Sequence, residues 1–281
     1  MPGEGVAPDD EAANAARLFV ASGRGRVVTP LLEVDRVAVS FGGIVALDHI
    51  SFDVAPGEIC GLIGPNGAGK TTLFNCLSRL YPVQSGDIRF EGRSVIRLAK
   101  HAIAPLGIGR TFQNLALFRS MSVRRNIMVG GHCRTRSSFI DNAFRLPIAG
   151  REESALGMHT AELIAFLKLD AHAETPVAAL PFGLQKRVEL GRALAAQPKL
   201  LLLDEPAAGL NHEELSDLGR MIHDIRQRFA ITILLVEHHM SLVMGVSDKV
   251  VALDFGRKIA EGTPTHVQQH PEVIRAYLGA A

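Results

Sequence analysis

Three stretches of this 281-residue sequence predict an α/β fold built around a phosphate-binding loop. The run Gly64-Pro65-Asn66-Gly67-Ala68-Gly69-Lys70-Thr71-Thr72 matches the pattern G-x-x-x-x-G-K-[ST]. Ahead of it, Glu58-Ile59-Cys60-Gly61-Leu62-Ile63 is a short apolar run of the kind that forms a buried strand; behind it, Thr72 to Leu77 opens a helix. Two further apolar strands, Leu200–Leu203 and Ile231–Val236, alternate with helical sequence, which implies a parallel sheet.

Residues 1 to about 30 are rich in Ala, Gly, Pro and acidic side chains without a sustained period, and are expected to be a disordered extension. Their acidic start and lack of an apolar core do not fit a secretory signal. From Leu31 the pattern becomes β. Leu32, Val34, Val37, Val39 and Phe41 alternate with other positions, as do Ile50, Phe52 and Val54 before the Pro56-Gly57 turn. Ser85 to Gly92 reads as a strand and a turn. The region from about 113 to 198 is expected to be mostly helical, with helix-type spacing through Ala161, Leu163, Ile164, Phe166, Leu167 and Leu169 and a further helix over Val188–Ala196. Residues 130–150 are polar, basic and broken by Pro147 and Gly150, as in a surface insertion. Two short strands, Val250–Leu253 and Lys258–Ile259, lead to a C-terminal helix ending at Tyr277-Leu278.

Composition narrows the partners. Lys plus Arg number 30 against 29 Asp plus Glu, so charge gives no argument for nucleic acid or anionic lipid. Cys60, Cys76 and Cys133 are odd in number and lack metal-type spacing, which points to a reducing compartment. No apolar run approaches the roughly 20 residues that span a bilayer. The chain is expected to be soluble by itself and to meet a membrane only through a partner.

The loop's glycines let several backbone N–H groups and a helix N-terminus face an anion. Lys70 supplies charge for the β- and γ-phosphates of a nucleoside triphosphate, and Thr71 offers a hydroxyl to Mg²⁺. The apolar strand Leu200–Leu203 runs into Asp204 and Glu205. Two acids at the end of a buried strand need a cation or a reacting water to justify them. Asp204 is therefore expected to hold Mg²⁺, directly or through water, and Glu205 to polarise the attacking water as general base.

Together these residues resemble the ATP-binding subunits of ABC transporters, from Leu31 to Leu278. The resemblance implies a RecA-like P-loop core with an antiparallel β subdomain and a helical subdomain at about 113–198. It also implies ATP as ligand, bound at Gly64 to Thr72. Thr111-Phe112-Gln113-Asn114 looks like the family's Q-loop, so Gln113 would sense Mg²⁺ and water and report to the membrane partner. Leu180-Pro181-Phe182-Gly183-Leu184-Gln185-Lys186-Arg187 stands at the place of the L-S-G-G-Q signature. Ala208-Gly209-Leu210-Asn211 resembles the D-loop that crosses the dimer interface, and His238 resembles the switch histidine that contacts the γ-phosphate. Phe41 stands where the family places an aromatic that stacks on adenine; a simple inward residue of its strand is the other reading. His49, His101 and His239 receive no functional role.

The signature departs from the family pattern. Pro181 replaces serine, Phe182 the first glycine and Leu184 glutamine. Pro181 offers neither hydroxyl nor N–H, which leaves Gly183 and the helix N-terminus as donors to a γ-phosphate held by the opposite subunit. Leu-Pro-aromatic-Gly, the run Glu205 to Asn211, and Glu237-His238-His239-Met240 are most similar to LivG-type ATPases of branched-chain amino-acid uptake. The ending Ile274 to Gly279 supports the same type. That resemblance implies permease subunits, a second ATPase of LivF type or a second copy, and indirectly a periplasmic solute-binding protein. It places the chain at the cytoplasmic face of the inner membrane. Urea or amide importers and lipopolysaccharide exporters share much of the pattern. A soluble ABC-type ATPase acting on ribosome or DNA is the alternative from another class, although this chain has one phosphate loop and no sustained heptads.

Overall fold

Two sheets carry the molecule. The computed structural model describes residues 29–112, 115–134 and 147–278. The N-terminal extension up to residue 28, Gln113, Asn114 and most of the expected insertion (135–146) lie outside the described residues.

Strands β1 (Leu32–Phe41), β2 (Ile44–Val54), β4 (Ser85–Phe90) and β5 (Arg93–Ser94) form an antiparallel sheet in the order β2-β1-β4-β5. Between them in sequence come β3 (Ile59–Ile63) and helix α1 (Lys70–Leu77), which belong to the second sheet's layer. That sheet adds β6 (Ile108–Arg110), β7 (Leu200–Asp204), β8 (Thr232–Val236), β9 (Lys249–Asp254) and β10 (Arg257–Gly262), in the order β10-β9-β3-β8-β7-β6. All its pairings are parallel except β9 with β10. Among the described residues the remaining α-helices are α2 (Ile103–Leu106), α3 (Val123–Gly131), α4 (Pro147–Phe166), α5 (Phe182–Ala195), α6 (His212–Phe229), α7 (Met240–Val246), α8 (Pro264–Gln268) and α9 (Pro271–Leu278).

Why the central strands are apolar throughout follows from what covers them. Leu200 and Leu202 pack with Leu62, Leu73 and the β1–β2 residues on one face, whereas Leu201 and Leu203 pack with Val188, Leu190 and Ile222 on the other. Ile233 and Leu235 share that second core, and Leu234 and Val236 the first. A parallel strand buried on both faces loses the polar alternation that marks β1 and β2. Cys60 and Cys76 are fully buried core residues. The three-residue strand β6 was not foreseen; it is too short to carry a period and is held at the sheet edge by β7. Because β3, β7 and β8 run parallel, their C-terminal ends open on one edge of the sheet, where ligands of open α/β sheets bind.

Candidate nucleotide site

At that edge β3 ends, the chain turns through Gly64–Gly69, and α1 begins at Lys70. Gly64 has φ 152°, and a Cβ on it would stand 2.2 Å from the Leu253 carbonyl oxygen, so the loop's first position admits no side chain. Lys70 is 5% exposed, and its ammonium curls back over the loop to donate to the carbonyl oxygens of Gly64 (2.6 Å) and Pro65 (2.8 Å). Burial pulls its pKa below the lysine range, and the nearby Glu205 carboxylate offsets part of this. The charge is thus held inside the loop. Ala68 is buried beneath the loop, whereas Asn66, Gly67 and Thr71 are exposed and Pro65, Gly69 and Thr72 half-buried.

The two acids that end β7 are placed differently. Asp204 is 2% exposed and pairs through Oδ2 with Arg110 at 2.8 Å. Its Oδ1 is buried with no hydrogen-bond partner among the described residues. A lone buried carboxylate oxygen invites a cation or its water shell, and with the exposed Thr71 hydroxyl on α1 it makes a donor set that fits Mg²⁺. Glu205 turns out of the strand at φ 49°, its N–H donating to the Val236 carbonyl at 2.9 Å. Since Asp204 pairs with Val236 across β7 and β8, the residues following both strands become neighbours. Glu205 Oε1 and His238 Nε2 stand 2.6 Å apart. The structure therefore brings together Glu205 and His238, which are 33 positions apart in the chain.

Several positions escaped sequence reading. Arg110, besides holding Asp204, donates to Asn75 Oδ1 (2.9 Å) and Ser78 Oγ (3.0 Å) and lies over the rings of Phe74 and Phe112. The signal was present, since a buried Asp204 demands a cation, but nothing local says which arginine supplies it. Glu237, 1% exposed, accepts from the Ala207 N–H (2.6 Å) and the His238 N–H (3.0 Å), strapping the turn after β7 to the turn after β8. Buried Glu189 on α5 accepts from the Phe112 N–H at 3.1 Å, directly before Gln113; burial raises its carboxyl, opposed by that N–H. From α9, the buried Tyr277 hydroxyl lies at the start of the phosphate loop. Burial pushes its phenol up to about 12, and the Gly64 backbone draws it the other way.

Phe41 does not take the inward place in its strand. It is 45% exposed and meets Tyr81 edge-to-face with ring centroids 5.2 Å apart, leaving its ring available to a ligand. Gly183 is not brought to the phosphate loop of its own chain; it sits in the first turn of α5 against Glu214 and Leu210. Gln113 lies outside the described residues. Among the described residues no helix is long and apolar enough to cross a membrane.

The family model for ABC transporters matches residues 47–208, and that for the branched-chain amino acid ATP-binding cassette transporter matches residues 257–281. The high-affinity branched-chain amino acid transport ATP-binding protein LivG of Escherichia coli K12 is 40% identical over 252 residues, covering 90% of this chain and 99% of the relative. Its counterpart BraF from Pseudomonas aeruginosa is 39% identical over the same coverage. Among solved structures, the ADP conformation of an ATP-binding cassette of an ABC transporter is 29% identical with a TM-score of 0.78, over 89% of this chain and 99% of that one. The chain belongs to the ABC transporter family, as one of its ATP-binding subunits.

Proposed function

We propose that this chain hydrolyses ATP to drive a membrane importer of branched-chain amino acids, working at the cytoplasmic face as one of two paired ATPase subunits. What carries the solute class is the 40% identity to LivG over 99% of that protein, together with the matching C-terminal segment. The site chemistry is supported by the Glu205–His238 contact at 2.6 Å beside the Lys70 loop.

In this reading the loop N–H groups from Gly64 to Thr72 and the Lys70 ammonium take the β- and γ-phosphates, and Phe41 stacks on adenine. Thr71, Asp204 and Gln113 would hold Mg²⁺, which when bound neutralises charge on the phosphate oxygens. Glu205 accepts the proton of the attacking water as its oxygen bonds to the γ-phosphorus. The bond to the β–γ bridging oxygen breaks, and ADP and phosphate leave. His238 orients Glu205 and reaches the γ-phosphate. Gly183 presents its N–H to nucleotide held by the other subunit, of LivF type or a second copy.

The test is reconstitution with the permease subunits, the second ATPase and the periplasmic receptor that co-purify with the chain. ATP hydrolysis should rise when that receptor carries leucine, isoleucine or valine. Stimulation by a urea- or amide-loaded receptor, with none by these amino acids, overturns the solute assignment.

A further inference from the structure

Phe182 opens α5 at a position where the family pattern has glycine, and it is 46% exposed. Its ring nonetheless has a definite seat. A Cβ on Gly209 would lie 2.9 Å from Phe182 Cε1, and Gly209 has φ 80°. The ring therefore rests on bare backbone in the turn after β7. One helical turn on, the Lys186 ammonium stands 5.6 Å from the ring centroid, within cation–π range. The next pair repeats the contact, since a Cβ on Gly183 would stand 2.5 Å from Glu214 Oε1. Glu214 is itself fixed by the capping box of α6, where Oε2 accepts from the Asn211 N–H (2.9 Å) and Asn211 Oδ1 accepts from the Glu214 N–H (2.9 Å).

Pro181 caps α5 without a side-chain hydrogen bond, and its carbonyl accepts from Leu184 and Gln185. The N–H groups of Phe182 and Gly183 come first in the helix and have no intrahelical acceptor. We propose that Phe182 is a positioning residue, its ring on Gly209 locking the donor turn of α5 to the 207–211 loop of the same chain. It orients the Gly183 N–H in place of the serine and glycine that this signature lacks. The inference rests on the reading of the chain as one of two ATPases sharing composite sites.

The test uses the assembled transporter and measures kcat and KM for ATP, beside ATP affinity of the isolated chain. Phe182→Ala should lower kcat about 10-fold or more, as slight misplacement of a reacting geometry does. Affinity at the chain's own phosphate loop should stay within about twofold. Phe182→Tyr keeps the ring and should restore kcat, which separates ring placement from a general folding defect. Gly209→Asn suits the left-handed backbone but fills the ring's seat, so it should cost a similar factor alone and little more in the Phe182→Ala background. Unchanged kcat in Phe182→Ala, failure of Phe182→Tyr to restore it, or losses that multiply in the double variant would overturn the proposal. Lys70→Ala serves as the separate control; ATP turnover surviving that change would overturn the underlying ATPase reading instead.

Discussion

Replacing Arg110 by methionine should destabilise the protein through Asp204. The pair is 2.8 Å apart with side chains 8% and 2% exposed, so its loss leaves a nearly buried carboxylate without its cationic partner. Breaking a buried pair from one side typically costs about 3–5 kcal/mol. At roughly 2–4 °C per kcal/mol for a chain near this size, the melting midpoint should fall by about 6–20 °C. Arg110 also binds Asn75 and Ser78, so part of the loss would be neutral hydrogen bonding. A double-mutant cycle separates the two. Asp204→Asn removes the stranded charge, and Arg110→Met/Asp204→Asn should therefore be more stable than Arg110→Met alone, with a coupling energy above about 1 kcal/mol. Urea unfolding of the four proteins measures this. A fall under about 1 kcal/mol for Arg110→Met, or strictly additive effects, would refute the assignment of Arg110 as the charge partner of Asp204.

Lys70→Ala removes the ammonium held over the loop and should weaken Mg-ATP binding by roughly 100-fold or more; near-wild-type affinity by calorimetry would show that the loop is not the site. Glu205→Gln should keep nucleotide binding while turnover falls by about 10² to 10⁴, the usual worth of a general base. Normal hydrolysis in that variant removes Glu205 from the role. Because Pro181 supplies neither hydroxyl nor N–H, the composite site that uses this chain's signature should be the poorer of two in a complex whose partner keeps the family pattern. Glu205→Gln should then impair transport more than the matching change in the partner, and equal losses in reconstituted vesicles would sink that asymmetry.

How far the sequence disclosed this site depends on what each residue has to do. Lys70, Asp204 and Glu205 stood out because few residue types suit phosphate, a cation or a proton, and because Lys70 opens a helix after a glycine loop while the two acids stand at the end of a buried strand. The adjacent parallel strands were legible from their unbroken apolar runs. Which strand ends adjoin was not, since that is settled by the order β3-β8-β7 and by the register that sets Asp204 against Val236. His238 therefore had only its place after the other motifs to mark it, and the contact with Glu205 became visible in three dimensions. Residues packed behind these were harder still. Arg110 lies in a three-residue strand, Glu237 looks like one more acid in a loop, and Tyr277 resembles any aromatic in a terminal helix. A support can be built from many side chains and many distances, so selection leaves no type or spacing to read. Phe182 shows the converse. Its departure from glycine is evident in the sequence as a loss of small backbone at the signature, yet only the seat on Gly209 reveals what the larger side chain gains. A motif residue is constrained by its ligand, which is common to all who bind it; a supporting residue is constrained by its neighbours, which are peculiar to the fold that holds them.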